Sequence, residues 1–336
     1  MHQLHLNSFF TGRYGKRAAH LLMLVFTVAI LDYSLGALLD YYYFKQQSGW
    51  LYRTTYALNE TNAELIILGS SRANHHYHPD VIGQRLHFTY YNAGRDGSYL
   101  FYHYAVLKGI LKRYKPKMVI LDFGITEFMK NQESYDRISY LLPYYKTHPE
   151  IRSIIELKST AEKLKLISRI YPFNSSLVTI VAGNPVFHMT KDGDKEGYIP
   201  LHNKWNEPLI TYNSSECYEF DTTEIRIYKM LIQDCINAGV KLYIVASPYF
   251  HKLKSTECSI LEGRKIAGLY NIPFIDFSGN EYFTARPQLF DDSYHLNDQG
   301  ARVFSGMLMD TITGNTAGTP GMKLSGYTSS SSNRNK

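Results

Sequence analysis

Cysteine is scarce: three in 336 residues, at 217, 235 and 258, without the close pairing that holds zinc or an iron–sulfur cluster. One disulfide plus a free thiol and three reduced thiols are both open. Acidic residues are missing from both ends. Residues 1–17 carry Arg13, Lys16 and Arg17, and residues 314–336 carry Lys323, Arg334 and Lys336, with no Asp or Glu in either stretch. These ends account for the whole net charge of +6, so the body between them is balanced and has no nucleic-acid footprint. The basic run Lys108–Lys117 reads instead as a solvated helix end ahead of a strand. No glycine-rich loop or H-R-D element accompanies the D-F-G at 122–124, which excludes a kinase and leaves a strand end. No internal repeat is visible. Only two tryptophans occur against 29 tyrosines, a composition suited to amphipathic contacts with a membrane or a glycan.

Long hydrophobic runs are rare too, and the single one is N-terminal. Ala18–Leu39 is long enough to cross a bilayer, although His20 and Asp32 make it a costly span. Basic residues precede it and Tyr41, Tyr42, Tyr43 and Phe44 follow as an aromatic belt, so residues 18–44 are expected to form a transmembrane anchor. The positive-inside rule puts residues 1–17 in the cytoplasm as a basic tail and the chain beyond residue 44 outside it, periplasmic or at the cell surface. No clean small-residue cleavage site follows, which favours an uncleaved anchor over a signal peptide; a buried soluble helix is the rival reading.

Beyond a polar connector at Gln46–Asn62, the pattern predicts strands at Glu64–Leu68, Phe88–Tyr91, Met118–Phe123, Lys241–Ser247 and Ile272–Phe277. Helices are expected from the first strand to Leu86, over Ser98–Tyr114, Asp221–Ala238 and Ser255–Tyr270, and from the 291–301 segment to Thr313. The alternation implies an α/β fold with a parallel sheet. Periodicity fails between residues 128 and 220, apart from a helical segment near Glu150–Ser168, which points to an insertion or cap within a 45–313 domain. That insertion holds sequons at Asn174 and Asn213. The Gly/Ser/Thr/Asn-rich residues 314–336 are expected to be disordered.

Two places can carry chemistry. Gly69-Ser70-Ser71 ends the first strand, where α/β sheets bind ligands, although a serine before a helix ordinarily caps it. Asp292 and His295 stand three apart just before the last helix, the pair a serine nucleophile needs as orienting carboxylate and base. His75, His76, His78 and Asp80 resemble a metal cluster, but no zinc-type partner spacing exists elsewhere, and surface or supporting histidines are the expectation.

In this order the motifs resemble those of the SGNH (GDSL-type) serine hydrolase superfamily. The resemblance implies a flavodoxin-like α/β/α sandwich and places the nucleophile at Ser71, with Ser70 in place of the family's Asp. It assigns Asp292 and His295 to the rest of the triad. Asn92-Ala93-Gly94-Arg95-Asp96-Gly97 is similar to the second block, with Gly97 and Ser71 supplying oxyanion-hole N–H groups. The third block departs: Thr126 occupies the asparagine position of Gly124-Ile125-Thr126-Glu127, and one lost oxyanion donor costs about 3–4 kcal/mol. Asn92, Arg72 and Arg95 are the candidate substitutes.

The implied activity is acyl transfer through an acyl-enzyme, as ester hydrolase or O-acyltransferase, without cofactor or metal. Its implied substrate is an acylated glycan or other ester of the cell envelope or exported polysaccharide, with a membrane acyl-transfer protein as partner in the transferase case. The rival is a catalytically degenerate glycan-binding or assembly subunit.

Overall fold

The computed structural model describes residues 13–182, 196–212, 217–253 and 257–314. The first twelve residues, the Asn213 sequon and the tail from residue 315 onward lie outside them.

Five parallel strands form the central sheet: β1 (Leu65–Leu68), β2 (Tyr90–Asn92), β3 (Met118–Asp122), β5 (Lys241–Ala246) and β7 (Phe274–Asp276), in spatial order β2-β1-β3-β5-β7. Ile67 pairs with Asn92 on one side and with Ile120 on the other. Successive side chains of a strand point to opposite faces, and the two cores follow that alternation. Ile66, Leu68, Val119, Leu121, Leu242 and Ile244 pack beneath α2 (Gly49–Asn59), α5 (Leu100–Arg113), α6 (Thr222–Ala238) and α7 (Cys258–Leu269). Leu65, Ile67, Met118, Ile120, Tyr243 and Val245 pack against α3 (Ser71–His76), α4 (Pro79–Leu86) and α8 (Asp298–Thr313). Each fully buried aliphatic side chain contributes about 1.5–3 kcal/mol relative to an exposed one. The result is the expected three-layer α/β arrangement. Its sheet changes direction of winding between β1 and β3, and ligands bind at such a switch point, beyond the strand carboxyl ends.

Several local expectations need correction. The connector after residue 46 is not a simple polar linker: α2 buries Leu51, Thr54, Thr55, Ala57 and Leu58. The helix after β1 breaks at Tyr77–His78, because Pro79 disfavours helical backbone at the residue before it and starts a new helix instead. The 150–168 segment is not one helix but a series of short α and 3-10 turns. A small parallel pair, β4 (Ile210–Tyr212) with β6 (His251–Leu253), carried no legible pattern.

The N-terminal helix α1 (Arg13–Phe44) is long and apolar enough to cross a membrane; a signal sequence would pass the same test. Its aromatic end is divided. Tyr41 and Tyr42 are exposed, whereas Tyr43 is 1% exposed and packs edge-on against Tyr144, so it belongs to the core rather than to a belt. Cys217 and Cys258 form a disulfide, and Cys235 is buried as a free thiol.

Candidate active site

β1 delivers the chain into a turn that only glycine permits. Gly69 has φ +148°, and a β-carbon there would come within 2.7 Å of Ala73 Cβ and 2.8 Å of Asp122 Cβ. Ser70 occupies the N-cap position of α3, but its side chain makes no capping hydrogen bond. Ser71 opens the helix, half-buried at the carboxyl edge of the sheet. Its Oγ lies 2.7 Å from His295 Nε2.

The loop before α8 supplies the other two groups. His295 Nδ1 is 2.8 Å from Asp292 Oδ2 and 3.0 Å from Oδ1. Asp292 Oδ1 also accepts the backbone N–H groups of Tyr294 and His295, at 2.7 and 2.8 Å. Partial burial pushes the Asp292 carboxyl upward, but these hydrogen bonds outweigh it and hold the group below its ordinary range. A carboxylate fixed in this way leaves Nδ1 to donate and Nε2 to face the serine. The fold thus brings together Ser71, His295 and Asp292, which stand 224 and 3 residues apart in sequence.

Behind the serine lies a buried polar layer. The guanidinium of Arg72 is 3.4 Å from Asp122 and lies over the Tyr249 ring at 4.2 Å. Asp122 in turn accepts Tyr77 Oη–H at 3.1 Å and the Ser247 N–H at 3.2 Å. His76 accepts the Leu296 N–H on Nε2 at 2.9 Å, which leaves Nδ1–H to donate to Ser247 Oγ at 3.0 Å. Burial, reinforced by the Arg72 charge, holds its imidazole well below the usual histidine range. His76 is therefore a neutral clamp between α3, the end of β5 and the His295 loop.

The remaining candidates have distinct fates. Gly97 has φ +62°, and its N–H, like that of Ser71, has no hydrogen-bond partner among the described residues. Asn92 commits both amide hydrogens to neighbours, Ala73 O at 2.6 Å and Tyr90 Oη at 3.1 Å, while its Oδ1 accepts the Gly94 N–H; it builds the turn. Arg95 points to α2, donating to Trp50 O and Thr54 Oγ1, and stacks on Tyr140. Thr126 is exposed and makes no side-chain hydrogen bond among the described residues. His75, His76 and His78 are all buried, not on the surface. His75 contacts Ile199 O at 2.7 Å and stands edge-on to His295 at 5.6 Å between ring centres.

Residues 196–205 of the insertion form a strap that showed no periodicity in sequence. It receives the Asn92 N–H at Glu196 O, pairs Ile199 N–H with Asn74 O, and reaches the Asp292 loop through Asn203 N–H to Asp291 and Trp205 N–H to Phe290 O. Tyr198 Oη–H donates to Asp298 at the start of α8. The strap ties the serine helix to the histidine loop.

No protein-family model and no curated protein sequence matches the chain. Among solved structures it is similar to one described as the crystal structure of an acetyl xylan esterase, AlAXEase, with a TM-score of 0.37 and 14% identity over 75% of this chain and 98% of that one.

Proposed function

We propose that the protein is a serine-dependent ester hydrolase or O-acyltransferase of the SGNH type. The observation that carries this reading is the continuous hydrogen-bonded line from Ser71 Oγ through His295 to Asp292, at 2.7 and 2.8 Å. In the proposed reaction His295 Nε2 takes the Ser71 proton as Oγ attacks an ester carbonyl. The tetrahedral oxyanion is held by the N–H groups of Ser71 and Gly97. His295 then gives its proton to the leaving alcohol, and the carbonyl reforms as an acyl-serine. Water attacking that acyl group makes an esterase, and a sugar hydroxyl makes an acyltransferase. Asp292 stabilises the imidazolium and fixes its orientation without itself taking the proton. The substrate class proposed is an O-acylated glycan of the cell envelope or an exported polysaccharide, met outside the cytoplasm by a domain anchored through α1.

Turnover of p-nitrophenyl acetate tests the reaction. Asp292→Asn should lower kcat by about 10⁴-fold, the scale on which a triad carboxylate matters; equal turnover in that variant would overturn the assignment. Adding an acceptor oligosaccharide separates the two fates of the acyl group, because a transferase yields acylated sugar and an esterase only free acid. The exposed Thr126 favours a second reading, a non-catalytic glycan-binding subunit, for which a folded protein without turnover is the expected result.

A further inference from the structure

The insertion does more than flank the active site: part of it is bound to α1 at a depth where α1 is otherwise bare. Asp32 accepts Ser168 Oγ–H at 2.5 Å and the backbone N–H groups of Arg169 and Ile170 at 2.8 and 3.4 Å. Gly36, one turn further along, is buried so closely against Arg169 that a β-carbon would collide with it. The Arg169 guanidinium lies over the Tyr33 ring at 4.4 Å. A span of about 20 residues counted from Ala18 ends near Ala37, so Asp32 sits about 8 Å inside the hydrocarbon boundary. The loop that satisfies it must reach that depth as well. This also removes the difficulty of an acid in the span, because the carboxylate meets protein donors rather than lipid.

Around this contact the insertion exposes apolar side chains that nothing among the described residues covers. Leu164 is 70% exposed, Ile167 74% and Val178 83%, with Leu177 and Val181 beside them. The helix Leu177–Ala182 contains no charged residue and packs against α1. α1 itself exposes a run of apolar side chains from Leu21 to Leu31. Arg169 also lines a crevice with Gly36 and Asp40 of α1 and with Lys146.

We infer that residues 164–182 are a second membrane-seated element, a foot of the insertion embedded among lipid acyl chains beside α1. Burial to about 5–10 Å is the ordinary depth of an interfacial apolar helix face. The domain is then held at two points, and its orientation to the bilayer is fixed rather than free about a single tether. The inference rests on α1 as a membrane span and is independent of the hydrolase reading.

The test uses full-length protein in phosphatidylcholine nanodiscs and environment-sensitive fluorophores on single introduced cysteines. The chain's own cysteines do not compete, two being disulfide-bonded and Cys235 buried. Probes at Val178→Cys and Ile167→Cys should lose emission to lipids nitroxide-labelled high on the acyl chain, as a probe at Leu24→Cys in α1 should to labels deeper in it, and should resist aqueous iodide. A probe at Leu269→Cys on α7 should show the reverse. If the Val178 and Ile167 probes behave like Leu269, or are shielded from both quenchers by a protein partner, the inference is overturned while the α1 reading stands. A Leu24 probe out of reach of lipid overturns both.

Discussion

His76 touches neither Ser71 nor Asp292 by a hydrogen bond, yet it holds the loop that carries His295. Both of its ring nitrogens hold buried groups, the Leu296 N–H and the Ser247 hydroxyl, and Leu296 directly follows His295. His76→Phe should cost about 1–3 kcal/mol in urea denaturation, because two buried polar groups lose their partners. It should also lower kcat more than it alters KM, because the His295 loop loses its clamp; unchanged kcat would refute the clamp. The buried acids Glu127 and Glu224 give a pH signature. Burial raises both, the Glu224 charge raises Glu127 further, and the Asp221 charge adds to the rise of Glu224. The folded state therefore keeps protons that the unfolded chain releases from about pH 4.3 upward. Stability should fall as pH rises through that window, by up to about 1.4 kcal/mol per pH unit for each proton. Glu127→Gln should flatten the fall and leave the variant more stable than wild type under mildly alkaline conditions; parallel urea midpoints across pH would contradict it. At this scale the sequence pointed to Ser71, Asp292 and His295, which the fold brings within hydrogen-bond distance, because the short motifs sit at strand and helix ends where backbone signals are strong. It hid the partners. Whether Asn92 lends its amide to the turn or to a substrate depends on Ala73 and Tyr90, a tertiary fact that the motif letters do not carry.

Among the elements, the strands of the main sheet were legible because each is a short apolar run bounded by glycine, proline or polar residues. The errors fall where tertiary packing overrides local pattern. α2 looks polar in sequence, yet its threonines hydrogen-bond inward, Thr54 with Tyr102 and Thr55 with Tyr144. The strap over 196–205 has no periodicity because backbone and side-chain hydrogen bonds, not a repeating apolar face, hold it. The disulfide is a further tertiary fact, joining cysteines 41 residues apart. It ties the chain ahead of α6 to α7, beside Tyr218 Oη, which contacts Ser259 Oγ and donates to Ile125 O at 3.1 Å. A loop of that length predicts a stability loss of about 2–4 kcal/mol on reduction, read as a lower urea midpoint with dithiothreitol. Equal midpoints would show that the bridge contributes nothing.

On the scale of the whole molecule, the chain combines a sheet whose switch point holds the serine, a histidine loop returning from the far end of the sequence, and an insertion that reaches both the site and α1. Tyr43 links α1 to the core, and Tyr43→Ala should destabilise the protein by about 3–5 kcal/mol, as removal of a large buried ring does. The central claim is that Ser71 is an activated nucleophile. Incubating the full-length protein with a fluorophosphonate and recording its intact mass tests that claim most directly. Wild type and Ser70→Ala should each gain a single adduct, and Ser71→Ala should gain none. A folded wild type that stays unmodified, or an adduct that survives Ser71→Ala, would contradict it.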